Sequence, residues 1–151
     1  MVKTSVLKKQ ILLQDLSKTD LEKIAKTVKE LSFKKGETLF REKDDTKGLY
    51  LIHSGKVEIA KATPDGWKQT LAILGSEHFL GELSIIEKRH HEATATALEN
   101  TEVFLITKDD FHVMEKKDAA LTSKLMKKLV LILSKNLRLM NEKFLNALIS
   151  Y

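Results

Sequence analysis

The chain contains no cysteine. Disulfide staples and thiolate metal sites are therefore excluded, and its 151 residues must build a core by packing alone. Proline occurs once, at Pro64, so little in the chain forces a break in a helix or strand. Aromatic residues make up only 6% of the sequence, and the core must be largely aliphatic. Long apolar runs are also missing. The longest, Leu129 to Leu133, is too short to span a bilayer and has Lys127, Lys128 and Lys135 around it. The start, Met1-Val2-Lys3-Thr4, is polar and lacks the apolar stretch of a secretory leader. These features predict a soluble, cytoplasmic, single-domain protein. The net charge of +5 is spread over blocks of no more than two basic residues. That pattern reads as a lysine-rich solvated surface and not as a nucleic-acid arm.

The patterning divides the chain in three. Leu13, Leu16, Leu21, Ile24 and Val28 recur at helical spacing and predict a helix over 12–28, with Ser17 and Asp20 as a capping signal that can divide a short turn from the main helix. From Leu31 the period becomes two. Short strands are predicted at 31–33, 37–40, 49–52, 57–61, 69–74, 93–98 and 101–107, separated by Lys35-Gly36, Ser54-Gly55 and the hairpin signal Pro64-Asp65-Gly66. So many short strands predict a mainly β fold, a jelly-roll barrel with flanking helices. Asp109 or Asp110 is expected to cap a short helix through Met114. A single long helix is then expected from Ala119 to about 147–148. One domain over 1–151 results, with the N-terminal helix and barrel at about 12–118 and the long helix at about 119–148. That helix carries two apolar stripes. Met126, Val130, Leu133, Leu137, Met140 and Phe144 form one; Leu121, Leu125, Leu129 and Ile132 form the other. A surface helix needs only one such face. The second predicts a parallel homodimer through this helix.

The stretch Phe79-Leu80-Gly81-Glu82-Leu83-Ser84-Ile85-Ile86, followed by His91-Glu92-Ala93-Thr94-Ala95-Thr96-Ala97, is the most specific feature. A Gly-Glu turn can aim several backbone N–H groups at one small anion, and Gly81 permits close approach. An ionised Glu82 only accepts hydrogen bonds, which suits sugar hydroxyls and repels phosphate. This stretch resembles the phosphate-binding cassette of cyclic nucleotide-binding domains, the family of the catabolite activator protein and the protein kinase A regulatory subunits. Phe79, Gly81, Glu82, Leu83, Ala93, Thr94 and Ala97 match its pattern. Lys35-Gly36-Glu37 and the Tyr50 to Val57 segment resemble two further fold-marking motifs of the family.

The resemblance implies a stand-alone sensor that binds cAMP or cGMP through Gly81, Glu82, Leu83, Ser84, His91, Ala93 and Thr94. The long helix would cap the base and pass the signal to an effector protein. Asn136 falls where a base contact is expected; a lone asparagine fixing helix register is the other reading. By itself Thr94 reads as an ordinary β-branched strand residue; the resemblance implies a phosphate-facing hydroxyl. The family's phosphate-binding arginine falls on His91. Neutral histidine lacks the permanent charge and forked donor of arginine. Its loss is expected to weaken binding about 10- to 150-fold, with recovery toward pH 6 as an unperturbed histidine charges. The alternative is a ligand-independent homodimeric interaction module that keeps only the fold. His90, His91 and Glu92 do not converge as metal ligands, because neighbouring strand side chains point to opposite faces. No nucleophile elbow, P-loop or His-Glu-x-x-His occurs, so no enzyme activity is expected. No DNA-reading domain is expected after the long helix.

Overall fold

Two four-stranded antiparallel sheets form a jelly-roll sandwich with helices packed on one side. The computed structural model describes residues 1–149. Helix α1 (Thr4–Leu7) and a 3-10 turn (Ile11–Leu13) lead into α2 (Lys18–Thr27). The helix expected over 12–28 is thus divided at its capping signal. Ser17 ends the turn and caps α2, its hydroxyl accepting from the Asp20 N–H at 3.2 Å.

The strands are β1 (Lys29–Phe33), β2 (Thr38–Phe40), β3 (Gly48–Ser54), β4 (Val57–Ala62), β5 (Lys68–Leu74), β6 (Phe79–Leu80), β7 (Thr94–Ala97) and β8 (Thr101–Thr107). One sheet runs β1-β8-β3-β6 and the other β2-β7-β4-β5. Only β4 and β5 are both sequence neighbours and hydrogen-bonded partners; their turn is the predicted Pro64-Asp65-Gly66, with Gly66 at φ 86°. The ladders close two separate sheets and not one continuous barrel.

Strand alternation explains the layering. Tyr50 and Ile52 on β3, with Val103 and Leu105 on β8, face the other sheet and pack with Leu39, Phe40, Val57, Ala95 and Ala97. Leu49 and Leu51, with Phe104 and Ile106, face the helices and pack with Leu13, Ile24, Phe111, Leu121 and Leu125. Strand β3 is buried on both faces from Gly48 to Ile52, where its sequence is continuously apolar. Gln10 is 1% exposed and ties the N-terminal segment to this strand, donating from Nε2 to the Ile52 carbonyl at 2.8 Å.

Helix α3 (Glu82–Glu87) follows β6. Helix α4 (Lys108–Lys117) is capped by Thr107, whose hydroxyl accepts from the Asp110 N–H at 3.1 Å. The cap is therefore two or three residues earlier than Asp109 or Asp110, and both aspartates sit in the first turn, where the helix dipole favours them. Helix α5 (Ala119–Ile149) has 31 residues. Leu121, Leu125 and Leu129 are its buried residues, with Met126, Ile132 and Leu133 partly covered. Beyond this point Leu137, Met140, Phe144 and Leu148 are all more than half exposed. Among the described residues, no helix is long and apolar enough to cross a membrane.

Candidate functional site

Gly81 sets the geometry of the site. It ends β6 in the left-handed region, at φ 87°, and starts α3. A Cβ there would lie 2.5 Å from the Gly48 carbonyl oxygen, so no larger residue fits. No side chain caps α3. The first N–H groups of such a turn have no intrahelical acceptor; that of Glu82 bonds its own carboxylate, which leaves those of Leu83 and Ser84 to face an anion. They border a cavity of about 280 Å³ whose wall includes Phe40 of β2, Ile59 of β4, Leu71 of β5 and the segment Arg89 to Ala93.

Glu82 is half-buried at the junction of this cavity with a small gap beneath α5, where Leu125, Met126 and Leu129 lie. Burial raises the pKa of its carboxyl, an effect opposed by a hydrogen bond from its own backbone. No other side chain pairs with it among the described residues, so neither a lysine nor an arginine satisfies it. It is an acceptor held ready in a mostly apolar wall. Leu83 is exposed on the rim, and Ser84 is 8% exposed beneath it.

His91 lies 3% exposed and stacks on Phe40, with ring centroids 3.6 Å apart and planes 11° apart. Its Nδ1 is 3.2 Å from the Ser84 hydroxyl, while Nε2 is buried without a partner. Its backbone is fixed too: its N–H donates to the Asp44 carbonyl and its carbonyl accepts from the Lys43 N–H. Desolvation lowers the pKa of the imidazole; Asp44 opposes this and Lys47 adds to it. The expected charging near pH 6 is therefore displaced to lower pH. This correction follows from the burial, which the sequence did not reveal. With the serine hydroxyl donating to Nδ1, the Nε2–H is an orphan donor. His90 also borders the cavity, and its Nδ1 lies 2.8 Å from Asp45 Oδ1.

Seven of the eight expected residues lie near one another, but they do not form one surface. Gly81, Glu82, Leu83, Ser84, His91 and Ala93 all line the cavity. Thr94 lines a neighbouring groove with Glu42, Glu58 and Trp67, and its hydroxyl accepts from the Glu42 N–H at 3.0 Å. Strand alternation is the reason: Ala95 and Ala97 fill the sandwich, which sends Thr94 and Thr96 to the opposite face. Asn136 is exposed on α5, seven residues past the last buried leucine, and lines none of the cavities around α3. Phe40, which holds the imidazole, is the residue that sequence reasoning missed; of the two loop cations that the sequence offers in place of the missing arginine, Arg89 lines the cavity and Lys88 does not.

The cyclic nucleotide-binding domain model matches residues 30–118, from β1 to the end of α4. The chain is 36% identical over 115 residues to the anaerobic regulatory protein of Bacillus subtilis, covering 75% of this chain and 48% of that one. It is 33% identical over 79 residues to the cyclic AMP receptor protein of Thermus thermophilus, covering 52% and 37%. The matched part thus spans less than half the length of these relatives. The crystal structure of the N-terminal domain of a Streptomyces coelicolor transcriptional regulator superposes with a TM-score of 0.76 at 27% identity, covering 89% of this chain and 94% of that one. An uncapped Gly-Glu turn, the two-sheet jelly roll and a match over more than half the sequence agree: the chain belongs to the cyclic nucleotide-binding domain family.

Proposed function

We propose that this chain is a regulatory domain that takes cAMP or cGMP into the cavity beside α3 and signals through α5, without catalysis. One observation carries the reading: a half-buried Glu82 with no partner side chain among the described residues, at the start of α3 and in the wall of one cavity. A ribose hydroxyl satisfies the carboxylate, and a cyclic phosphate takes the N–H groups. The His91 Nε2–H is a further neutral donor at that wall. Glu82 also borders the seat of α5, so occupation of the cavity bears directly on how that helix packs. Relatives whose names include cyclic AMP receptors support the ligand class. A cytoplasmic sensor that dimerises through the exposed stripe of α5 and acts on an effector protein fits this arrangement. Isothermal titration with cAMP and with cGMP tests it. Saturable binding of either, lost in Glu82→Ala, is the expected result.

A second reading rests on the overhang of α5. Its apolar surface from Leu137 to Leu148 is exposed, and residue 91 carries no charge at neutral pH. A homodimeric interaction module that keeps the fold without the ligand would need only that helix. Titrations silent for both nucleotides, with a dimer persisting by light scattering, would favour it.

A further inference from the structure

We propose that Arg89 supplies the charge facing the ligand's phosphate, and that Glu87 and Glu92 hold its guanidinium until the nucleotide displaces them. This inference rests on the nucleotide reading above. His91 stands at the position where the resemblance places an arginine, but its ring is stacked on Phe40 and hydrogen-bonded to Ser84 inside the protein. The phosphate end of the cavity therefore needs its charge from elsewhere.

Two permanent cations line that cavity, Lys61 and Arg89. Arg89 is tied to the anion-facing helix itself. The left-handed Lys88, at φ 55°, ends α3, and the Arg89 N–H then donates to the Ser84 carbonyl at 3.1 Å. The backbone of residue 89 is thus folded back against the helix that presents the free N–H groups. Its guanidinium makes two separate contacts, Nη2 with a Glu87 carboxylate oxygen and Nη1 with Glu92 Oε1 at 3.0 Å. A cyclic phosphate monoanion offers two non-bridging oxygens, the same kind of acceptor pair that the carboxylates now provide. All three side chains are at least 43% exposed, and ion pairs of this type hold weakly, so exchange is cheap. Lys61 is a point charge without a fork, and it also borders the groove holding Glu42 and Glu58.

The test is isothermal titration of the unsubstituted chain, Arg89→Gln, Lys61→Gln and the double variant Glu87→Gln/Glu92→Gln. The probes are cAMP and adenosine, which lacks the phosphate. Arg89→Gln should weaken cAMP about 10- to 150-fold and leave adenosine unchanged. The double variant should tighten cAMP, because the arginine no longer has to leave its carboxylates. The Arg89 Nε–Hε resonance should shift on adding cAMP and stay in place with adenosine. Full cAMP affinity in Arg89→Gln, or the whole loss falling on Lys61→Gln, overturns the assignment while leaving the nucleotide reading intact. No cAMP binding by the unsubstituted chain overturns that reading and this one with it. Equal thermal melts across the variants show that the fold is common to all.

Discussion

Lys124 on α5 holds Asp20 on α2 at 2.8 Å, joining residues 104 positions apart. Asp20 is buried, with its side chain 10% exposed, and the lysine lies over it. Lys128 with Asp15 and Lys23 with Asp118 extend the contact along the same pair of segments. The long helix is thus docked by its first turns, through leucines underneath and ion pairs at the margin.

Asp20→Asn should lower stability by about 1 kcal/mol at neutral pH, as expected for a pair with one half-exposed partner. The hydrogen bond from Lys124 is the main reason the Asp20 carboxyl sits below its usual pKa, against the opposing effect of burial. A depressed acid stabilises the fold above its unfolded pKa and loses that contribution as pH falls through the folded value. The difference between variant and parent should therefore shrink as pH falls below about 4. Urea melts at pH 7 and pH 3 measure it. An unchanged difference would show that the asparagine acts by packing and not by charge.

Glu82→Gln should raise the melting temperature of the unliganded protein at pH 7 and weaken cyclic nucleotide binding. Burial raises this carboxyl's pKa, so the folded state disfavours the anion. The sign is fixed: stability falls as pH rises from the unfolded pKa through the folded one. A glutamine removes that charge and also its ribose acceptor strength, for an expected binding loss of about 1–3 kcal/mol. Scanning calorimetry and titration on the same sample read both effects. A variant that is less stable at pH 7 would mean that the carboxylate has a partner in the unliganded protein.

His91 gives a pH signature of the opposite sense. Its imidazole is buried neutral, with its pKa lowered from 6.5. Below about 6.5 the unfolded chain takes up a proton that the folded one resists, so stability declines as pH falls toward the folded pKa. His91→Phe, which can keep the Phe40 stack, should remove that decline below pH 6.5. His91→Arg should lower the melting temperature, because a permanent charge in this buried position is desolvated. The displaced arginine then reaches the cavity and tightens cyclic nucleotide binding. Melting curves across pH, paired with titration at pH 7.5, check each limb.

Helix α5 should separate into two functions under mutation. Leu125→Ala, in the seat of the helix, should cost about 2–5 kcal/mol in urea unfolding. Met140→Glu with Leu137→Glu, on the exposed stripe, should leave that stability unchanged and abolish a dimer seen by light scattering. Leu133, an equally apolar member of the same sequence stripe, is half-buried against the core, so its substitution would confound the two effects. A monomeric parent at high micromolar concentration would remove the dimer from the proposed function.

Local signals carried much of this structure. Apolar patterning located seven of the eight strands; β6, two residues long, falls in the stretch read as a turn. The Ser17–Asp20 cap and the Pro64-Asp65-Gly66 hairpin involve residues three or fewer apart, and both formed as their local chemistry dictates. The Gly81-Glu82 turn is equally local, because a left-handed residue followed by a short helix is specified within a few positions. The unbroken run from Ala119, free of glycine and proline, determined a long helix with a surplus of apolar surface.

Tertiary packing decided the chemistry of the site. Strand pairing put Thr94 beside Glu42, 52 positions away, on the face opposite the sandwich core. Loop closure brought Phe40 onto His91 and buried a side chain that its neighbours in sequence, both exposed, gave no reason to expect inside. The docking of α2 against α5 determined which leucines are covered and left Asn136 in solvent. Desolvation, and with it the charge state of Glu82 and His91, depends on residues far apart in the chain arriving at one place. Sequence alone fixes the order of elements and the turn that can bind an anion. Which side chains face that anion, and with what charge, is settled only when the two sheets and the helices close around them.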